Sequence, residues 1–255
     1  MSFTNSHENA HSGISHTSAL RQRPLTSRQE RKLVEYLDEN ILELTRHFKK
    51  RSEETSALKT LSAYIEAVGR LLALILQIPP LDPSTGLRIA YLLRLTGDLI
   101  SSIPGYKLGR DNAVIHQTLQ DLIDFLDDLD QAWLSVLQGQ VWDPETREGV
   151  DLVVPVEEAS TLKSTPASQT DLTRLRSLLF TGQSALEEWL SSQRSQPDVR
   201  DTQADDLGDV SGMLSRMGLF HEFDSLFSRT LDFLGGFGEN ISRNILDPQE
   251  EGLME

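Results

Sequence analysis

Apolar residues recur at helical spacing in five segments of the chain, separated by polar or proline-containing stretches. Gaps of three and four positions place such residues on one face of an α-helix. Ser27 followed by Glu30 is typical of a capping box, which satisfies free backbone N–H groups at a helix start. We therefore expect a first helix from about Ser27 to the basic run at residues 49–51. Its apolar face is formed by Leu33, Leu37, Ile41, Leu44 and Phe48.

Two further helices are predicted over residues 54–77 and 84–102. The helix over residues 54–77 has one apolar face and ends before Pro79 and Pro80. The helix over residues 84–102 is apolar almost all round, so we expect it to be the most buried helix. Asp82 is expected to cap it, with Pro83 in the first turn, where a missing N–H costs nothing.

The fourth helix, predicted over residues 112–138, has the most regular pattern. Its apolar positions keep alternating gaps of four and three for three heptads: Ile115, Leu119, Leu122, Leu126, Leu129, Trp133 and Val136. Five aspartates occupy its other faces: Asp121, Asp124, Asp127, Asp128 and Asp130. A regular heptad face also allows homo- or hetero-oligomers.

These segments predict an all-α fold, an antiparallel bundle of four to five helices over residues 25–191. A loop insertion at 139–169 interrupts it, in which Val150–Val156 could be extended but has no obvious strand to pair with. The fifth helix is expected at 170–191. A disordered tail (1–24), an acidic linker (192–209), a tethered amphipathic Phe/Gly-rich helical segment (210–246) and an acidic tail (247–255) complete the predicted organisation.

Composition narrows the functional classes. The formal charge is −15, which disfavours direct nucleic-acid binding, because that affinity depends on Lys and Arg at phosphates. The chain has no cysteine, so thiolate chemistry and Cys-containing metal sites are excluded. Its longest apolar run is far shorter than the roughly 20 residues that span a bilayer. We therefore expect no transmembrane segment, and a cytoplasmic or nuclear location.

The aspartate-rich face permits three interpretations. Asp124 and Asp128 have the one-turn spacing with which helical enzymes hold magnesium, but the chain shows no second acidic cluster to complete such a site. A solvated face is the simplest interpretation, partly complementing basic residues of the first helix. The third is a surface for a basic partner, formed by Asp121, Asp124 and Asp128. We predict no catalytic, metal or cofactor site.

Four Ser/Thr-Gln pairs lie in the predicted linkers, and such clusters resemble substrates of DNA-damage checkpoint kinases. Each phosphate would add up to about two negative charges to an already acidic stretch. The candidate phosphorylation sites are Ser168, Ser192, Ser195 and Thr202.

The C-terminal segment holds five of the nine phenylalanines. Its apolar face can dock on its own bundle or insert into the groove of a partner. The candidate partner-binding residues on it are Leu219, Phe223, Phe227 and Leu231.

We therefore expect a non-catalytic interaction protein, a scaffold or adaptor subunit of a larger eukaryotic-type assembly, with unidentified protein partners. The alternative is a nuclear accessory factor in DNA repair or meiotic recombination, regulated at the Ser/Thr-Gln cluster.

Overall fold

The computed structural model describes residues 22–109, 111–154, 157, 162–193 and 210–235. This part of the chain is predominantly helical, as predicted, with a single small hairpin. The helices are α1 (Ser27–Lys49), α2 (Leu61–Leu76), α3 (Ser84–Ser102), α4 (Asn112–Leu137), α5 (Gln169–Gln193), α6 (Val210–Met217) and α7 (Phe220–Asp224). Residues 228–235 are also helical. The strands are β1 (Val141–Asp143) and β2 (Glu148–Val150).

Helix α1 has its predicted extent, but its cap lies one residue earlier than expected. The capping box is formed by Thr26 and Gln29, not by Ser27 and Glu30. The Thr26 hydroxyl accepts the backbone N–H of Gln29, and the Gln29 side chain accepts that of Thr26. This register leaves the predicted apolar face of α1 packed on the core.

Helix α2 begins at Leu61, seven residues later than the apolar spacing indicated. Thr60 caps it by accepting the N–H of Ala63. The preceding loop is nevertheless part of the core, because Leu58 is buried and the Tyr106 hydroxyl donates to its carbonyl at 3.1 Å. In the sequence, the buried loop residue Leu58 therefore has the same apolar spacing as the residues of α2, which explains the misplaced start.

Helix α3 lies at the centre of the bundle and contacts α1, α2, α4 and α5. Its bounds are those predicted, and most of its faces are buried. The start differs: Pro83 takes the cap position and provides no side-chain hydrogen bond. Asp82 instead binds across the bundle to Thr165, whose hydroxyl donates to it at 2.6 Å. Asp82 therefore connects the segment before α5, through Thr165, to the start of α3.

The heptad face of α4 packs inside the same chain. Leu126 is fully buried, and the indole N–H of Trp133 donates to the Thr96 hydroxyl of α3 at 3.0 Å. Asp111 caps the helix by accepting the N–H of Ala113. Because this face is covered by α2 and α3, it is not free for the oligomer contact that its pattern allowed.

The loop insertion contains a hairpin that the sequence did not predict. Strands β1 and β2 are antiparallel, with Val141 opposite Val150 and Trp142 opposite Gly149. A Cβ on Gly149 would lie 2.6 Å from the Ser135 hydroxyl, so only glycine allows this approach to α4. The extended residue Val150 therefore has a partner, which lies N-terminal to it.

Candidate functional site

The aspartates of α4 differ in how their neighbours engage them. Asp121 is half-buried and accepts the Ser62 hydroxyl of α2 at 3.2 Å and the Gln117 amide at 2.8 Å. Asp124 is exposed and accepts the Gln120 amide, one turn earlier, at 2.8 Å. Asp121 thus connects two helices, whereas Asp124 faces solvent.

Two arginines from outside the helix pair with the next aspartates. Arg147, in the hairpin turn, lies 2.9 Å from a carboxylate oxygen of Asp128. Arg229, at the start of the last helical segment, lies 2.6 Å from Asp127. Burial raises the pKa of Asp128, and the charge of Arg147 opposes that shift. These cations come from the hairpin and the C-terminal segment, whereas the sequence had indicated the first helix.

Asp130 is buried and caps residues 228–235. Its carboxylate accepts the backbone N–H of Arg229 at 3.2 Å and that of Thr230 at 3.0 Å. The Thr230 hydroxyl donates to the Asp130 carbonyl at 3.1 Å. Burial raises the pKa of Asp130, and the hydrogen bonds from Thr230 and Arg229 oppose the shift. The Asp130 carboxylate thus caps residues 228–235 and joins the C-terminal segment to α4.

The C-terminal segment is folded against the bundle. Leu219 and Phe227 are buried, and Phe223 and Leu231 are half-buried against the core. The described part of the expected amphipathic helix is broken in two places, at Gly218 (φ 75°) and at Phe227 (φ 60°), because this left-handed backbone cannot continue a helix. Residues 236–246 lie outside the described residues. A partner-binding role for the four apolar residues stays a prediction.

The candidate phosphorylation sites fall in different settings. The Ser168 hydroxyl donates to Asp171 at 2.6 Å and accepts its backbone N–H, so Ser168 caps α5. Ser192 lies in the last turn of α5 and donates to the Trp189 carbonyl at 2.7 Å. Helix α5 thus includes the first residues assigned to the acidic linker. Ser195 and Thr202 lie outside the described residues.

A buried arginine has no counterpart in the sequence-based expectations. Arg88 of α3 is 1% exposed, and its Nη1 donates to the Gln140 carbonyl at 2.7 Å. Its Nε and Nη2 atoms have no hydrogen-bond partner in the described part of the chain, and neither does the hydroxyl of Ser135. Burial lowers the pKa of Arg88 to about 10. The spacing did carry a signal for this residue, because its neighbours on the same helical face, Tyr91, Leu92 and Leu95, are all apolar.

Among the described residues, no group of three or more His, Asp or Glu side chains could hold a metal ion. None of the described helices is long and apolar enough to cross a membrane. What the described residues do present is a helical body with a partly exposed acidic face on α4 and exposed aromatic side chains. These features define the class of the fold, a predominantly helical protein.

A family model described as TFB6, subunit 11 of the general transcription factor TFIIH, matches residues 59–225. The match covers more than half of the chain, from just before α2 to the end of α7. The chain therefore belongs to the TFB6 family. No curated protein and no solved structure matches it. The family assignment agrees with the predicted cytoplasmic or nuclear location.

Proposed function

We propose that this chain is a non-catalytic subunit of a TFIIH-type general transcription factor in the nucleus, and that it binds protein partners through its helical surfaces. The observation that carries the proposal is the family match over residues 59–225. The matched region contains α2 to α7, so it includes the central helix α3 and the aspartate-bearing face of α4.

The exposed carboxylate of Asp124 is the clearest candidate contact for a basic partner on that face. Asp121 and Asp128 already have partners within the chain. We therefore expect them to contribute less to the contact than Asp124, at the edges of the acidic face. The buried residues Leu219 and Phe227 would stabilise the contact surfaces by packing in the core beneath them. Phosphorylation at Ser168 would place a phosphate at the N-terminus of α5, where the helix dipole favours negative charge but Asp171 opposes it.

The test is affinity purification of the full-length tagged chain from nuclear extract, with mass spectrometry of the proteins retained. We expect TFIIH subunits to be enriched over an extract with the tag alone. A matched sample with Leu126→Asp, which puts a charge into the core, should lose them. A wild-type chain that retains no TFIIH subunit would overturn the proposal.

A further inference from the structure

A groove of about 560 Å³ lies between α5 and the C-terminal helices. Phe180, Ser184 and Glu187 line it from α5, and Phe220, Phe223 and Asp224 line it from α7. The Gln183 amide of α5 donates to the Leu226 carbonyl at 2.8 Å, which fixes the two walls relative to each other. The groove is therefore built into the packing of the segment on the bundle.

Both walls expose an aromatic ring. Phe180 is 49% exposed and Phe220 is 39% exposed, while Phe223, also on the α7 wall, is half-buried. Exposed aromatic side chains beside a concave surface are typical of the residues that dominate protein–protein affinity. Burying these two phenylalanine rings would remove apolar area from water, which favours an occupant with an apolar face beside its polar groups.

The charge of the groove selects among occupants. Its lining contains two carboxylates, Glu187 and Asp224, and the guanidinium of Arg176 lies beside it, 5.7 Å from the centre of the Phe180 ring. The neighbouring segment 194–209 has five aspartates against two arginines, and 236–255 has five acidic residues against one arginine. Like charge disfavours both segments as occupants, whereas a lysine- or arginine-bearing segment would be attracted.

We propose that the groove docks a basic amphipathic helix of a partner protein. Its apolar face would lie on Phe180 and Phe220, and its cations would reach Glu187 and Asp224. This inference rests on the proposed function, because the partner belongs to the assembly that the chain joins.

The first test compares two double variants in the purification from nuclear extract. Phe180→Ser with Phe220→Ser should reduce retention of TFIIH subunits at least tenfold. The control is Tyr36→Ser with Val114→Ser, which removes side chains of equal or greater exposure (54% and 55%) outside the groove and should leave retention unchanged. Both proteins should melt close to the wild type, because the substituted rings are exposed.

Equal retention by wild type and groove variant would overturn the groove proposal and leave the proposed function standing. If the wild type itself retains no TFIIH subunit, the proposed function fails, and the groove is decided by crosslinking alone.

The second test identifies the occupant with a photo-crosslinking amino acid at Ser184 in the full-length chain. We expect a crosslinked peptide from another protein that carries apolar residues at helical spacing and a net positive charge. The yield should fall with Glu187→Lys and persist with Glu188→Lys, its exposed neighbour outside the groove lining. A crosslink to residues 194–209 or 236–255, to a second copy or to an acidic peptide would overturn the proposal, as would no crosslink.

Discussion

The carboxylate of Asp130 accepts the backbone N–H of Thr230 at 3.0 Å, across 100 positions of the chain. The same carboxylate accepts the N–H of Arg229, so one buried side chain satisfies two free donors at the start of residues 228–235. Because Asp130 lies on the most regular helix of the bundle, the C-terminal segment and α4 are joined at a defined register.

Asp130→Ala should release the last helical segment. It removes both acceptors and leaves two buried or half-buried N–H groups unpaired, which we expect to cost about 2 kcal/mol. Limited proteolysis should then cleave after Arg229 much faster than in the wild type, and the melting temperature should fall by several degrees. Asp124→Ala on the same helix is the control, because that carboxylate is exposed. This variant should keep a cleavage rate and a melting temperature close to those of the wild type. Unchanged cleavage in Asp130→Ala would contradict the capping role.

The predictability of this fold from its sequence depended on how local each contact is. The bounds of α3 and α4 follow from apolar spacing, because those helices bury their faces along their whole length. The start of α2 was misplaced, since Leu58 is buried from a loop and no local pattern separates it from a helical position.

The candidate surfaces were less predictable, because they depend on pairs far apart in the chain. The pairing of Arg229 with Asp127 spans 102 positions, and no spacing rule connects them. The hairpin has strands of only three residues, too short for an alternating pattern to stand out. The groove at Phe180 arises only once the C-terminal segment packs on α5, so exposed and buried phenylalanines could not be separated beforehand.

The crossing of α3 and α5 depends on a glycine. A Cβ on Gly182 would lie 2.7 Å from Cδ1 of Ile100 and 3.2 Å from its Cγ1. Gly182→Ala should therefore destabilise the protein by about 1–2 kcal/mol, because overpacking outweighs the gain in helix propensity of about 1 kcal/mol. Adding Ile100→Val removes the clashing methyl group and should recover part of the loss. Denaturant unfolding of the single and double variants measures both effects.

Gly97 on α3 provides the matched control at the same crossing. A Cβ there would meet Cδ1 of Leu178 at 3.9 Å, an ordinary van der Waals contact. Gly97→Ala should leave stability unchanged or raise it by up to about 1 kcal/mol. Equal destabilisation by Gly97→Ala and Gly182→Ala would show that the Ile100 contact is not the cause.

Alkaline pH should destabilise the bundle through Tyr64. This side chain is buried, its hydroxyl donates to the Asp98 carbonyl at 3.3 Å, and burial raises the pKa of Tyr64 to about 12. A folded-state pKa above the unfolded value of about 10 favours the neutral phenol, so its contribution is complete below pH 10 and is lost as pH rises toward 12. Denaturant midpoints at pH 9 and 11.5 should fall more steeply in the wild type than in Tyr64→Phe. Parallel slopes would contradict the assignment.

The buried charge of Arg88 should lower the free energy of unfolding. The guanidinium is buried with one hydrogen bond, to the Gln140 carbonyl, and no described carboxylate pairs with it. Because an uncompensated buried charge costs several kcal/mol, Arg88→Met should be neutral or stabilising by about 1 kcal/mol, since methionine fills much of the same volume. Arg88→Ala should instead lose about 2 kcal/mol or more through the cavity it leaves. Urea unfolding of both variants at pH 7 gives the comparison. A loss above about 2 kcal/mol in Arg88→Met would mean that the charge is compensated, and that its hydrogen bond to the Gln140 carbonyl stabilises the junction of α3 and the hairpin.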